Sequence, residues 1–410
     1  MIRAGILFDG RAYIREDVDV EVRNGKITAV RPASGKADID LGKRLLAPGL
    51  IDTHVHLSWY ITSQERLHRR DDGDDERTAI LNAAGNAWRM LQAGFTTVQS
   101  VGAAEDKLVR DAIDRGAIPG PRVLTSLGQV RTDDDGGRLA AIWSSLKRFF
   151  RIEDESAEGI RSRVRTLHAS GADLIKIFAT ENSRRGGASN MTQTQLDSAC
   201  GEARSLGLRA IVHAQSAESM KRAVRAGCTQ IDHGRVADDE SIAMMASAGV
   251  YFEPQCSLVF RNYLGNWHWF ADVRKWDAKQ QAAMERILEG LRERAATWLS
   301  AKSLKVVYGS DAVAGAHGQN AADLVCRVRD LGQPALDALR SATSLSAESL
   351  GLGDKIGTVA PGYEADLVAF EGDPRQDPGV FMQVAFVMRG GVTYRLPPDR
   401  AGPNRVFPSR

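Results

Sequence analysis

Hydrophobic and polar positions divide the chain into two β-rich ends and a long middle. Near the start, ILFDG, VDVEVRNGKITAV and ADIDLGKRLLAPGLID alternate or run apolar between turn signals, and Asn24-Gly25 predicts a hairpin turn. IGTVAPGYEADLVAFEG and VAFVMRGGVTY behave alike near the other end, the second broken by a turn at Gly390-Gly391. The middle offers eight short apolar runs: LIDTHVHL, FTTVQSV, RVLTSL, DLIKIFA, LRAIVHA, TQIDHG, VYFEPQ and LKVVYGSD. Helical patterns such as ERTAILNAAGNAWRMLQAG and AESMKRAVRAG separate most of them. Eight strands alternating with helices predict an α/β fold, a parallel (β/α)8 TIM barrel over residues 49–355. Residues 1–48 and 356–410 are then expected to meet as a small β-sandwich. Three long connections, Ser58 to Arg77, Arg131 to Glu155 and Phe260 to Trp276, follow barrel strands and are expected on the C-terminal face as pocket walls or lids. For the second, with Asp133-Asp134-Asp135-Gly136-Gly137 and Trp143, Phe149 and Phe150, packing or oligomer contact is an equal alternative, as it is for the third.

Composition narrows the partners. A length of 410 residues suits one barrel plus an accessory domain, and a formal charge of +2 from nearly balanced acids and bases favours no charged partner. No basic face with interleaved aromatics suggests nucleic acid, and no apolar run approaches the roughly 20 residues that span a bilayer. MIRAGILFDGRAYIRED lacks the apolar stretch and cleavage site of a signal peptide. Cys200, Cys228, Cys256 and Cys326 form no CxxC pair and read as reduced, mostly buried thiols, so a cytoplasmic location is expected.

The chemistry sits at the strand ends. Lys176 stands inside ADLIKIF, a run that reads as a buried strand, where an ammonium is costly unless paired or neutralised. His54 and His56 in IDTHVH are two apart and share one side of a strand. His213, His233 and Asp311 close the fifth, sixth and eighth runs. A lone core histidine is more often satisfied by hydrogen bonds than by metal. Four of eight histidines on one inferred rim, with a carboxylate and a buried lysine, point instead to divalent ions such as zinc. For Lys176 an ion pair with Asp173 or another acid stays open.

GLIDTHVHL, the strand lysine, the two strand-end histidines and GSDA resemble the amidohydrolase superfamily, as does APGYEADLVAF. Within it, AGFTTVQSVG, DAIDRGAIPGPRVL, SGADLIKIFAT, IDHG and GSDAVAGAHGQNAADL are similar to the binuclear Xaa-Pro and Xaa-Arg dipeptidase-type and imidazolonepropionase-like hydrolases. The resemblance implies two divalent metal ions, zinc expected, with Lys176 N6-carboxylated by CO2 to bridge them. His54, His56 and Asp311 would hold one ion and His213 and His233 the other. A hydroxide between the ions is the implied nucleophile, with Asp311 as general base and then general acid. His317 and Gln215 are candidate substrate-binding residues. Gln215 in HAQS and ATENSRRGGASN, with Arg184 and Arg185, depart from the relatives' pattern, so their substrate preference does not carry over directly. His68, His168 and His268 are not candidates.

The implied reaction is hydrolysis of an amide-like C–N bond in a dipeptide, N-acyl amino acid, lactam, urea or carbamate, the aromatic 260s favouring a bulky apolar moiety. A cyclic-amidine deaminase, generally built on one metal without the lysine, is the alternative, as is a phosphoesterase. A non-catalytic scaffold is disfavoured because all six ligands are present. The expected partner is a small-molecule substrate, neither nucleic acid nor membrane, and a homo-oligomer is expected from the resemblance.

Overall fold

The turn at Asn24-Gly25 forms as expected: Arg23 pairs with Lys26 across it, and the two residues take φ of 50° and 78°. Two consecutive left-handed residues match the twist of the flanking strands, which is why Asn-Gly suits this place. The computed structural model describes residues 1–68, 72, 75–132, 155–181, 187–274 and 277–397. The first strands are β1 (Ile2–Phe8), β2 (Ile14–Arg23), β3 (Lys26–Pro32), β4 (Ile39–Asp40) and β5 (Leu45–Pro48). Then come β6 (Leu50–Val55), β7 (Phe95–Ser100), β8 (Arg122–Thr125), β9 (Gln129–Val130), β10 (Leu174–Phe178) and β11 (Arg209–Ser216). The remainder are β12 (Gln230–Val236), β13 (Tyr251–Glu253), β14 (Lys305–Val306), β15 (Leu367–Phe370), β16 (Val384–Arg389) and β17 (Val392–Arg395).

The two ends of the chain join in one eight-stranded sheet of order β17-β16-β15-β5-β1-β2-β3, with β4 beside β1. The expected turn at Gly390-Gly391 links β16 to β17, pairing Arg389 with Val392. Side chains on this sheet alternate between two cores, as period-two strands dictate. Leu46, Leu367, Ala369, Phe386 and Met388 pack with Val18, Val20 and Ile27. Their neighbours Leu45, Ala47, Val368, Phe370 and Val387 pack on Met90 and Leu91 of the helix Glu76–Gln92 and on Phe95 and Val98 of β7.

All eight runs predicted as strands are strands, in two parallel sheets of order β6-β7-β8 and β14-β13-β12-β11-β10-β9. The two-residue β9 is additional. Hydrogen bonds cross between the sheets at both margins: Asp173 N to Thr125 O (2.8 Å) at one, Thr53 N to Tyr308 O (2.9 Å) and Asp311 N to His54 O (2.8 Å) at the other. Helices such as Gln193–Ser205 and Ala217–Arg225 follow the strands, each opened by a side-chain cap from Thr192 or Ser216.

Several expectations change. Much of Phe260 to Trp276 is helix, Leu258–Gly265 and Trp267–Arg274. Leu258, Val259, Asn262 and Tyr263 bury one helical face there. In the second long connection, residues 133–154 lie outside the described ones, as do Arg184 and Arg185. The cysteines are not reduced thiols. Cys200 is bonded to Cys228 (2.02 Å) and Cys256 to Cys326 (1.91 Å), so the cytoplasmic expectation loses the support it drew from them. Each pair joins residues 28 or 70 positions apart that the fold brings together, which no local spacing announces. Among the described residues no helix is long and apolar enough to cross a membrane.

Candidate metal centre

Strand alternation sends His54 and His56 to the same side of β6, and both are buried. Their Nε2 atoms lie 3.6 and 3.1 Å from Asp311 Oδ1. Lys176, at the middle of β10 with 0% exposure, puts its Nζ 3.4 Å from His54 Nε2 and 2.5 Å from Asp232 Oδ2. On β12 the His233 ring centroid is 5.1 Å from that of His54 and 4.3 Å from that of His213 on β11. Phe178 stacks on His213 at 4.6 Å. All six residues singled out from the sequence thus gather at one place. Two of them, His233 (φ 74°) and Asp311 (φ 51°), take left-handed backbone conformations that cost a non-glycine residue roughly 1 kcal/mol or more. Such conformations persist only where surrounding contacts enforce them.

The sequence matches the profile of the amidohydrolase family over residues 45–394. The chain belongs to that family. It is accordingly a hydrolase of carbon–nitrogen bonds. This amidohydrolase is 25% identical to ochratoxinase of Aspergillus niger over 382 residues, covering 86% of this chain and 76% of that one. It is 24% identical over 383 residues to an uncharacterized protein of Mycobacterium bovis, with 92% of each chain covered. A solved structure of a Xaa-Pro dipeptidase with methionine bound in its active site superposes with a TM-score of 0.81 at 25% identity, over 96% of this chain and 99% of that one.

Three site residues of this amidohydrolase went unread in the sequence: Asp232, Glu253 and Gln255. Asp232 precedes His233 on β12, and the period-two rule puts neighbours on opposite faces. The left-handed turn at His233 breaks that rule. Glu253 carried a signal like that of Lys176, a charge in an apolar run, here at its end. Its Oε2 is hydrogen-bonded to His54 Nδ1 at 3.0 Å, and it is fully buried. The lysine's ion-pair partner is Asp232, not Asp173. Asp173 instead accepts from Arg110 (2.7 Å) and from the Thr125 amide (2.8 Å).

The electrostatics suit cations. Burial, aided by nearby positive groups, holds His54 and His213 well below the usual imidazole pKa, and burial lowers His233 as well. Neutral imidazoles keep a lone pair for a metal. Burial pushes Asp311 upward, but its hydrogen bond to His56 and the charges of His56, His233 and Lys176 outweigh this and keep it below the carboxylate range. Burial and Asp232 push Glu253 well above that range. Ligand atoms of His54, His56 and Asp311 lie within 4.8 Å of one another, as do those of His54, Asp232 and Glu253. Two imidazoles and a carboxylate oxygen converging in a buried place are a donor set for a first-row divalent ion, so the residues fit the family's metal dependence.

His317 is buried, and its Nε2 donates to the carbonyl of His56 at 3.0 Å rather than to its own loop. Burial brings its pKa down to about 4. Gln215 is buried on β11, and among the described residues its Oε1 has no hydrogen-bond partner. Of the aromatic 260s, Tyr263 and Phe270 turn inward and meet edge to face at 4.7 Å in a small core with Leu67, Val259, Val313 and Ala314, while Trp267 is exposed. Half-buried Trp59, 5.4 Å from the His56 ring, flanks the ligands on one side as Phe178 does at His213. His268 and His168 are exposed and His68 stacks on Tyr60.

Proposed function

We propose that this amidohydrolase cleaves the amide-like bond of a dipeptide or N-acyl amino acid at a two-ion centre. His54, His56 and Asp311 would hold one ion, His213 and His233 the other, and a carboxylated Lys176 would lie between them. The observation that carries this reading is the single cluster of four histidines, Asp311 and a fully buried lysine. Similarity to a Xaa-Pro dipeptidase and to ochratoxinase supports a substrate with an amide-like bond. We also read the two parallel sheets, tied at both margins, as one closed (β/α)8 barrel over 49–355. The terminal sheet, whose two ends share a core, is read as curling into the sandwich of 1–48 and 356–410.

Divalent ions in such a site polarise a carbonyl and make water acidic enough to attack near neutral pH. Asp311, kept ionised by His56, would take a proton from the attacking water and return it to the departing nitrogen. The neutral histidines leave their lone pairs free. Trp59 offers an apolar wall beside His56. Lys176 disfavours the deaminase reading, since that class generally lacks the lysine, and a phosphoesterase has no observation of its own in support.

Zinc-loaded protein screened against dipeptides, N-acyl amino acids, lactams and carbamates tests the substrate class, and turnover confined to the first two is expected. Lys176→Ala should lose both activity and bound zinc, with short-chain carboxylic acids partly restoring each. Full activity in that variant would defeat the bridging role, and zinc-loaded enzyme inert to the first two classes would defeat the substrate reading.

A further inference from the structure

The segment Glu253-Pro254-Gln255 touches both groups of histidines. Glu253 Oε2 is 3.0 Å from His54 Nδ1. The Gln255 amide nitrogen is 3.0 and 2.7 Å from the two Glu253 oxygens, while its Oε1 is 2.5 Å from His233 Nδ1. Both Glu253 oxygens lie against the Gln255 nitrogen, which identifies that nitrogen as the NH2 and turns Oε1 toward His233. An amide oxygen only accepts, so His233 Nδ1 carries the proton and its Nε2 keeps the lone pair. The contact of Glu253 with His54 Nδ1 fixes the direction of that ring, whichever of the two holds the shared proton. His54 thereby turns its Nε2 toward Lys176 Nζ (3.4 Å) and Asp311 Oδ1 (3.6 Å).

The geometry points to Glu253 and Gln255 as positioning residues: one hydrogen-bonded bracket that fixes the ring orientation of His54 and His233 together and the Nδ1–H tautomer of His233. This rests on the two-ion reading, in which those rings belong to different ions. The bracket couples the two subsites through three residues of chain.

The segment is itself anchored from behind. The Asp323 carboxylate accepts from the amides of Cys256 (2.8 Å), Ser257 (2.8 Å) and Leu258 (2.6 Å). One turn on in the helix Ala322–Arg329, the buried Arg327 donates to the Pro254 carbonyl, and Cys326 is bonded to Cys256. The GSDA motif makes room on the other side. A Cβ on Gly309 would lie 2.5 Å from Glu253 Cδ and 2.6 Å from its Oε1, so only glycine lets that carboxylate sit where it does.

Two measurements test the bracket. In metal-free protein labelled with 15N-histidine, long-range proton–nitrogen correlations should show His233 as the Nδ1–H tautomer. An Nε2–H tautomer at His233 would overturn the assignment, whatever the metal content. Zinc affinity, by competition with a chromophoric chelator, should fall by about 10- to 100-fold in Glu253→Gln, and by at least about 10-fold in Gln255→Leu, which keeps the volume but neither hydrogen bond. Melting curves of the metal-free variants establish that they fold, and Gln255→Leu carries the test if Glu253→Gln does not. Affinities within twofold of the parent in a folded variant would overturn the bracket. A parent protein that takes up no zinc would instead overturn the two-ion reading and leave the tautomer measurement to decide.

Discussion

Lys176 is tolerated with no exposed surface because Asp232 lies 2.5 Å from its Nζ, and the same burial made it legible: one ammonium in an apolar run is conspicuous. The strand-end histidines were legible for a like reason, since period two and a common strand end suffice to group them. Asp232 was not, because its direction depends on the φ of its neighbour. Glu105 is a second buried charge, and its effect is on stability. It is 7% exposed in the first turn of the helix Glu105–Asp114, and among the described residues its Oε2 has no partner. Burial pushes its pKa from 4.5 to about 7, with a smaller upward push from Asp106. Between those values the unfolded chain releases the proton and the folded one keeps it, so stability falls as pH rises from 4.5 to 7. The accumulated penalty is of the order of 3 kcal/mol. Glu105→Gln should escape it. Urea unfolding should find the variant about as stable as the parent at pH 4.5 but more stable by roughly that amount at pH 8. An equal offset at both pH values would mean that the carboxyl proton is not the cause.

Elements carry the next level of control, and the helix Ala322–Arg329 does so through its inward face. Asp323 is fully buried and accepts from three consecutive amides. Asp323→Ala strands those donors away from water, and a loss of about 3 kcal/mol or more is expected in urea unfolding. A loss below about 1 kcal/mol would show that the segment finds other partners. The two disulfides make a related prediction. Protein unfolded without reductant should show no free thiol, and reduction should cost about 2–4 kcal/mol. Four titratable thiols before reduction would contradict the pairing. Strand elements were readable from short apolar runs bounded by turn residues, which is why all eight were found. The helices after Ser257 were not, although Phe260, Tyr263, Trp267 and Phe270 share one helical face, because Gly265 and Asn266 interrupt the run like a loop signal. Nor did the cysteines reveal their pairing, because that is set by how neighbouring strand–helix units pack.

At the scale of the molecule, the terminal sheet and the site are mechanically continuous. Strand β5 is separated from β6, which carries His54, by Gly49 alone, and β5 pairs with both β1 and β15. Arg122 on β8 reaches across to Asp366 (2.8 Å) and also to Glu364. Phe370 on β15 packs in the same core as Met90 and Leu91 of the first long helix and Val55 of β6. A chain of 410 residues would ordinarily be expected to unfold in stages. Here a shared core makes the two sheets depend on each other, so one cooperative transition is expected for the metal-free protein. Far-ultraviolet dichroism, near-ultraviolet dichroism and tryptophan fluorescence should give the same midpoint. Phe370→Ala, which empties a fully buried position in that core, should lower the midpoint of all three together and cost about 3–5 kcal/mol. Bound zinc should leave at that same midpoint when metal-loaded protein is heated, because the strand holding His54 loses its neighbour at the moment the terminal sheet goes. If the variant instead shows an early transition that spares zinc binding, the terminal sheet is an independent unit and the continuity through β5 and β6 is only covalent.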